Sequence, residues 1–270
     1  MGTTDQKLAF SNIPFTSKPR PKPRSCGISE ICDWGIPHGQ LKDYLDHTGE
    51  FVDVAKIVLG FAGLYPLEKL QEKIAIYHSA DVKTQPGGIY FEYAAAMNKV
   101  DEYLDHCHEA GFDYVEVSDS RSDWTREVKR AHVKSVVDAG LAVIPESGGG
   151  IQHSIQEIVD DVKASMDLGA WKVTVDTAEI RSPGGEIRRD LFDALLAEVA
   201  MEDLIFEVWA IPIWGGKTHQ IRETELWLIK EFGPDVNIAN LMFDWVFPLE
   251  ALRRGLGINI NSKTGGMDYQ

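Results

Sequence analysis

Tyr114-Val115-Glu116, Leu141-Ala142-Val143-Ile144-Pro145-Glu146, Val173-Thr174-Val175-Asp176 and Leu204-Ile205-Phe206-Glu207 are four short apolar runs, each closed by a carboxylate. The four acids stand 30, 30 and 31 residues apart. One strand, one helix and two loops occupy about that much chain in a (β/α)8 barrel, where ~250 residues divide into eight units of ~31. Read as strands, the runs put an acidic side chain at the C-terminal end of each of four consecutive strands. That rim carries the chemistry in such barrels. A ring of carboxylates there is expected to hold a divalent cation. Mg²⁺ takes carboxylate oxygens and keeps several waters, so two or three acids suffice. Glu116, Glu146 and Asp176 are the expected ligands, with Glu116 and Glu207 assigned to catalysis.

The same alternation extends in both directions. Upstream, Ile28–Cys32 reads as a strand, Leu41–His47 as a helix and Phe51–Leu59 as a strand. Leu67, Leu70, Ile74 and Tyr77 mark a helix over Leu67–His78. Val82–Thr84 is a short strand closed by Gln85-Pro86-Gly87-Gly88, and Phe91–Ala110 reads as one long helix. Between and after the four runs come helices at Arg126–Ala139, Ile155–Leu168, Leu191–Val199 and Glu223–Phe232, a strand at Val236–Leu241 and a helix at Pro248–Leu256. Short strands alternating with longer helices make an α/β protein with a parallel sheet. The first β/α turn, Asp33-Trp34-Gly35-Ile36-Pro37-His38-Gly39, is no dinucleotide fingerprint, and no phosphate loop ends in Gly-Lys-Ser/Thr. An open doubly wound sheet is therefore disfavoured against a (β/α)8 TIM barrel over residues 26–258. Residues 1–25 form an arm in which Pro14, Pro19, Pro21 and Pro23 alternate with Lys18, Arg20, Lys22 and Arg24, a pattern that suits extended chain. Residues 259–270 are a tail.

The composition excludes several classes. A formal net charge of −15 over 270 residues argues against nucleic acid or anionic membrane as partner, because phosphate binding needs a basic surface. No apolar run approaches the ~20 residues of a membrane span, and no apolar signal core opens the chain. Cys26, Cys32 and Cys107 have neither metal-ligand nor redox spacing and read as reduced thiols of a cytoplasmic protein.

Other strand ends add candidates. Lys56 lies between apolar neighbours in the second strand, and an unpaired buried ammonium is costly, so it must reach a carboxylate, a ligand or the rim. It is assigned to catalysis, or else to a structural salt bridge with one of the acids. Ser118 shares the face of Glu116 at i+2 and is expected to touch substrate. Gly87 and Gly88 precede a helix and could offer N–H groups to an anion. Asp33 follows the first strand directly and serves either substrate or its own turn. His38, His153 and His219 lack the paired spacing of a zinc site.

These segments resemble the phosphosulfolactate synthase family, (β/α)8 enzymes that add sulfite to phosphoenolpyruvate in coenzyme M biosynthesis. Lys22-Pro23-Arg24 with Gly27 and Asp33-Trp34-Gly35 is similar to the family's opening Lys-Pro-Arg…Gly…Asp-x-Gly. Val52-Asp53-Val54-Ala55-Lys56, Pro86-Gly87-Gly88 with Phe91-Glu92, and Val115-Glu116-Val117-Ser118-Asp119 resemble its next three motifs. The end is the most specific: Asn237-Ile238-Ala239-Asn240, Phe243-Asp244 and Leu249-Glu250-Ala251-Leu252-Arg253-Arg254-Gly255-Leu256 resemble Asn-Leu-Ala-Asn…Phe-Asp…Leu-Glu-x-Leu-Arg-Arg-Gly-Leu. The resemblance implies Mg²⁺, a small carboxylate substrate, an enediolate whose charge is stabilised as it develops, and Asn240 among the substrate contacts.

Four departures stand against the original reaction, the first being that Lys56 is followed by Ile57-Val58-Leu59-Gly60-Phe61 where the family has Phe-Gly-Trp-Gly-Thr. Where the family has Glu-x-Gly-Lys-Lys, this chain has Glu146-Ser147-Gly148-Gly149-Gly150. Where it has Glu-x-Arg-Glu, this chain has Asp176-Thr177-Ala178-Glu179. The loop with Trp209, Pro212 and Trp214 before Gly215-Gly216-Lys217 is also longer. Two anionic substrates need cations, and the expected ones are missing. Arg181, as a substrate contact, and Lys217, as a catalytic cation, are the candidate replacements. The leading expectation is a divergent Mg²⁺-dependent lyase or addition enzyme working through an enediolate. The alternatives are phosphosulfolactate synthase activity with relocated cations, and a non-catalytic barrel relative. A homo-oligomer is expected because barrels often self-associate.

Overall fold

The computed structural model describes residues 9–17, 21–149, 153–182, 184–209, 217–261, 263 and 266–267. Eight parallel strands lie in the order β3-β2-β1-β8-β7-β6-β5-β4: β1 Ser29–Asp33, β2 Val54–Ile57, β3 Lys83–Pro86, β4 Tyr114–Val117, β5 Ala142–Ser147, β6 Val173–Val175, β7 Leu204–Glu207 and β8 Ile238–Leu241. The remaining seam, between β3 and β4, is bridged by Asp113. Its N–H donates to the Thr84 carbonyl at 3.0 Å, and its carboxylate accepts the Thr84 N–H at 2.9 Å. The sheet thus curls into a nearly closed barrel, as the spacing of the acids predicts.

Helices surround it: α1 His38–Thr48, α2 Leu67–Ser79, α3 Gly88–Ala96, α4 Val100–Ala110, α5 Arg126–Asp138, α6 Ile155–Asp167, α7 Thr177–Ile180, α8 Arg189–Glu198, α9 Thr218–Phe232 and α10 Phe243–Arg253. Their apolar stripes pack on the outer face of the sheet and form one continuous core. None of the helices in the described residues is long and apolar enough to cross a membrane.

Two helix readings are corrected. The stretch Phe91–Ala110 is broken: α3 ends at Ala96, and α4 starts at Val100 after Asn98 adopts a φ of 55°. Asparagine tolerates that left-handed conformation better than most residues, and the chain turns there. The last helix begins at Phe243 and carries Pro248 inside it. A proline favours a first turn but does not forbid a later position where one backbone bond is forgone.

Inside the barrel, side chains alternate along each strand. Ile144, Ile205 and Ala239 form a small apolar layer with Tyr114 and Trp171, whose rings stack at 4.7 Å. Two residues further along their strands come Glu116, Glu146 and Glu207. The interior therefore changes from apolar to acidic within one strand period.

The arm closes the opposite end. Lys22 Nζ donates to the carbonyls of Gly49 at 2.8 Å, Ala80 at 3.0 Å and Asp81 at 3.1 Å, all just before β2 or β3. Arg24 pairs with Asp53 at 3.0 Å. The Lys22-Pro23-Arg24 motif thus fastens the floor of the barrel, far from the rim.

Candidate active site

The C-terminal ends of the strands enclose a cavity of about 200 Å³. Its floor is built around Lys56, 5% exposed in β2. The Lys56 ammonium lies 2.6 Å from Glu116 Oε1, 2.9 Å from Glu207 Oε1 and 3.2 Å from Glu30 Oε1. Burial alone would depress its pKa, but these three carboxylates outweigh it and hold the amine charged. The salt-bridge reading of Lys56 holds, and the residue also lines the cavity.

Glu30 was not legible as a site residue. It sits mid-strand in β1, fully buried, and also accepts from Gln85 Nε2 at 2.8 Å. Its signal is the charged residue inside Ser-Glu-Ile-Cys-Asp, two positions before the rim, where attention to strand ends overlooks it.

Glu116, Glu146 and Glu207 each bring one oxygen to within 4.8 Å of the others. They are the convergent set, and Glu207 stands where Asp176 was expected. Asp176 lies just past β6 and caps α7, its Oδ1 accepting the Ala178 N–H at 2.6 Å. It still lines the cavity, beside rather than within the triad. Glu116 is held twice, by Lys56 and by the Gly88 N–H on Oε2 at 2.6 Å. Glu146 is different: it is 7% exposed, and no hydrogen bond reaches its carboxylate from the described residues.

Burial, and then the mutual repulsion of Glu207, Asp176 and Glu116, pushes Glu146 well above the usual carboxylate range. Burial likewise raises Glu207 and Glu30 despite Lys56, and raises Asp176 despite its hydrogen bond to Ala178. Five acids thus share one buried ammonium, and the cluster is short of positive charge. Three converging oxygen donors with that deficit fit a hard divalent cation.

The glycines are sterically required. A Cβ on Gly88 would fall 2.5 Å from Ser118 Oγ and 3.0 Å from the Ser118 nitrogen. Gly149 has a φ of 108°, and a Cβ there would lie 2.9 Å from Ser120 Cβ, which shuts out other residues where the loop crosses the acids. Gly87, Gly88, Ser118 and Asn240 all line the cavity. Ser118 donates to Glu92 at 2.6 Å, so a buried acid of α3 fixes its hydroxyl.

Three expected contacts are placed elsewhere. Asp33 is fully buried and accepts from Lys73, from Tyr77 at 2.8 Å and from the N–H groups of Gly35 at 2.7 Å and Ile36 at 2.9 Å. That network shapes the first β/α turn, and Asp33 does not line the cavity. Arg181 is turned toward α9, donating to Thr224 at 2.8 and 3.0 Å and pairing with Glu223 at 3.1 Å. Lys217 is exposed at the start of α9 and is not part of the lining. Neither cation is among the residues that line the cavity. Trp209 lines the cavity, whereas Pro212, Trp214, Gly215, Gly216 and Gly150 lie outside the described residues.

The model of the (2R)-phospho-3-sulfolactate synthase (ComA) family matches residues 17–258. Phosphosulfolactate synthase of Methanocaldococcus jannaschii is 32% identical over 241 residues, covering 85% of this chain and 92% of that protein. The phosphosulfolactate synthase of Bacillus subtilis is 30% identical over 246 residues, covering 87% of this chain and 92% of that one. Among solved structures, the YdjI aldolase of Escherichia coli K12 aligns with a TM-score of 0.54 at 14% identity, covering 90% of this chain and 93% of that one, a likeness of fold alone. With a family model spanning nearly all of the barrel and relatives matched over nearly their whole length, the chain belongs to the phosphosulfolactate synthase family.

Proposed function

We propose that the chain is a divergent Mg²⁺-dependent lyase or addition enzyme of this family, acting on a carboxylate substrate less anionic than phosphoenolpyruvate with sulfite. One observation carries the reading. Among the described residues lining the cavity, Glu116, Glu146, Asp176 and Glu207 face a single basic side chain, Lys56, which three carboxylates already hold. A phosphate, a carboxylate and a sulfite would find no unengaged cation in that wall.

Glu116, Glu146 and Glu207 would hold the cation. When bound, Mg²⁺ would supply Lewis-acid stabilisation of negative charge developing on the substrate's carboxylate oxygens. Lys56 balances the remaining charge and keeps Glu116 and Glu207 oriented. Gly88 fixes the second oxygen of Glu116. Asp176, which lines the cavity outside that triad, would be left to pass a proton to or from the carbon beside the substrate carboxylate. Val58, Leu59, Ile89, Val208 and Trp209 provide an apolar wall that limits water around the reacting carbon.

The 32% identity to a phosphosulfolactate synthase favours a second reading, the relatives' own reaction with cations drawn from outside the described wall. Two assays separate them. In D₂O with Mg²⁺, small 2-oxo carboxylates such as pyruvate should exchange the hydrogens next to the carbonyl, and Asp176→Asn should abolish this. Phosphoenolpyruvate with sulfite should give little or no adduct by ³¹P NMR. Rapid adduct formation would establish the second reading, and absence of both reactions would leave a non-catalytic barrel relative.

A further inference from the structure

Asn240, one residue before the end of β8, has a φ of 65°, a left-handed conformation that asparagine tolerates better than most residues. It lines the cavity from a strand that lies between β1 and β7, the strand of Glu207. The Cys32 thiol donates to Asn240 Oδ1 at 3.2 Å. Cys32 is 2% exposed, and its burial beside Glu30, Glu207 and Glu116 keeps the sulfur protonated and able to donate. With its oxygen occupied in this way, the Asn240 amide keeps an NH₂ group that donates to no other described residue and is available to whatever fills the cavity. Of the hydroxyl groups that line the cavity, Ser118 donates to Glu92 at 2.6 Å, Ser120 to Glu92 at 3.4 Å and Thr177 to the Glu207 carbonyl at 2.5 Å.

We propose that Asn240 is the donor that grips a substrate carboxylate or carbonyl oxygen, and that Cys32 is a positioning residue that sets the direction of its amide. The proposal deepens the functional reading above and rests on it for the nature of the substrate oxygen. Sequence spacing alone marks Cys32 as a plain reduced thiol. Its position two residues after Glu30, on the same inward face of β1, gives it this further role.

The contact and the grip are tested separately. Infrared difference spectra against Cys32→Ser assign the S–H stretch of Cys32, and Asn240→Ala should shift that band to higher frequency as the S–H group loses its acceptor. An unmoved band overturns the positioning role whether or not a cation binds. Oxalate, a planar dicarboxylate, then probes the grip by calorimetry in the presence of Mg²⁺. Asn240→Ala and Cys32→Ala should each weaken oxalate about tenfold, the scale of one hydrogen bond to a charged group. Cys32→Ser should restore most of the affinity, and Mg²⁺ binding alone should be unchanged in all three. Absence of oxalate binding to a Mg²⁺-loaded wild type, or equal affinity in Asn240→Ala, overturns the grip while leaving the cation reading intact. Absence of Mg²⁺ binding to the wild type removes the cation reading instead, and the S–H band still decides the Cys32 contact.

Discussion

Replacing Lys56 with methionine keeps much of the side chain's length and removes its charge. The ammonium stands 2.6, 2.9 and 3.2 Å from Glu116, Glu207 and Glu30, whose side chains are no more than 5% exposed. At an effective dielectric constant of ~20, one such contact at ~3 Å is worth ~5 kcal/mol before desolvation is charged against it. Desolvation absorbs most of that, and removing one partner of a buried cluster typically destabilises by ~3–5 kcal/mol. The loss depends on pH with a defined sign. Burial raises the folded-state pKa of Glu30 and Glu207, so their contribution to stability is fully present below the unfolded value and is lost as pH rises through the folded one. Without Lys56 both are raised further, and the gap between wild type and variant widens with pH. Urea unfolding in a chelator at about pH 5 should show a loss of ~1 kcal/mol or less, and at about pH 8.5 the full ~3–5 kcal/mol, with an unchanged slope. Thermal melts at the higher pH should fall by roughly 6–20 °C for a chain of this size. Equal losses at the two pH values, or no loss at the higher one, would refute the idea that Lys56 is the counterion of this cluster.

Glu146→Gln should lower Mg²⁺ or Mn²⁺ affinity at least ~10-fold by calorimetry while leaving stability unchanged or raised, because an unpartnered buried carboxyl is removed. Gly88→Ala should destabilise by ~1–3 kcal/mol and weaken cation binding, since a Cβ 2.5 Å from Ser118 Oγ pushes α3 away from Glu116. Glu225 in α9 tests pH linkage away from the site: burial lifts it to about 7 despite Arg222. Its stabilising share is present below about pH 4.5 and lost as pH rises through about 7, so Glu225→Gln should match wild type in acid and exceed it by ~2 kcal/mol near pH 8 in urea titrations.

The barrel was legible because a parallel strand buried on both faces writes a short apolar run, and the acids recur at the unit length. Glu116, Glu146 and Glu207 share a strand position that alternation predicts, two residues beyond Tyr114, Ile144 and Ile205. Asp176 satisfies the same interval but falls one residue beyond β6, where the need to cap α7 claims its side chain. Such a competition between a helix start and a site is set by the third dimension. The same holds for Asp33 and Arg181, whose partners Lys73, Tyr77 and Thr224 lie 40 or more residues away in sequence. Glu30 and Cys32 escaped because an inward-facing polar residue in mid-strand looks, in sequence, like a break in an apolar run. The family motifs carried Lys22-Pro23-Arg24 as a unit, but only the fold assigns it to the barrel floor.

The central claim is that the buried glutamates on β4, β5 and β7 are a cation site. Crystals grown with Mn²⁺, with data collected at the manganese absorption edge, test it most directly. The account predicts a single strong anomalous peak bounded by Glu116, Glu146 and Glu207, with Asp176 outside the direct ligands and Lys56 still paired to Glu30. An anomalous map with no peak at those three side chains, from crystals whose manganese is bound elsewhere or not at all, would contradict it.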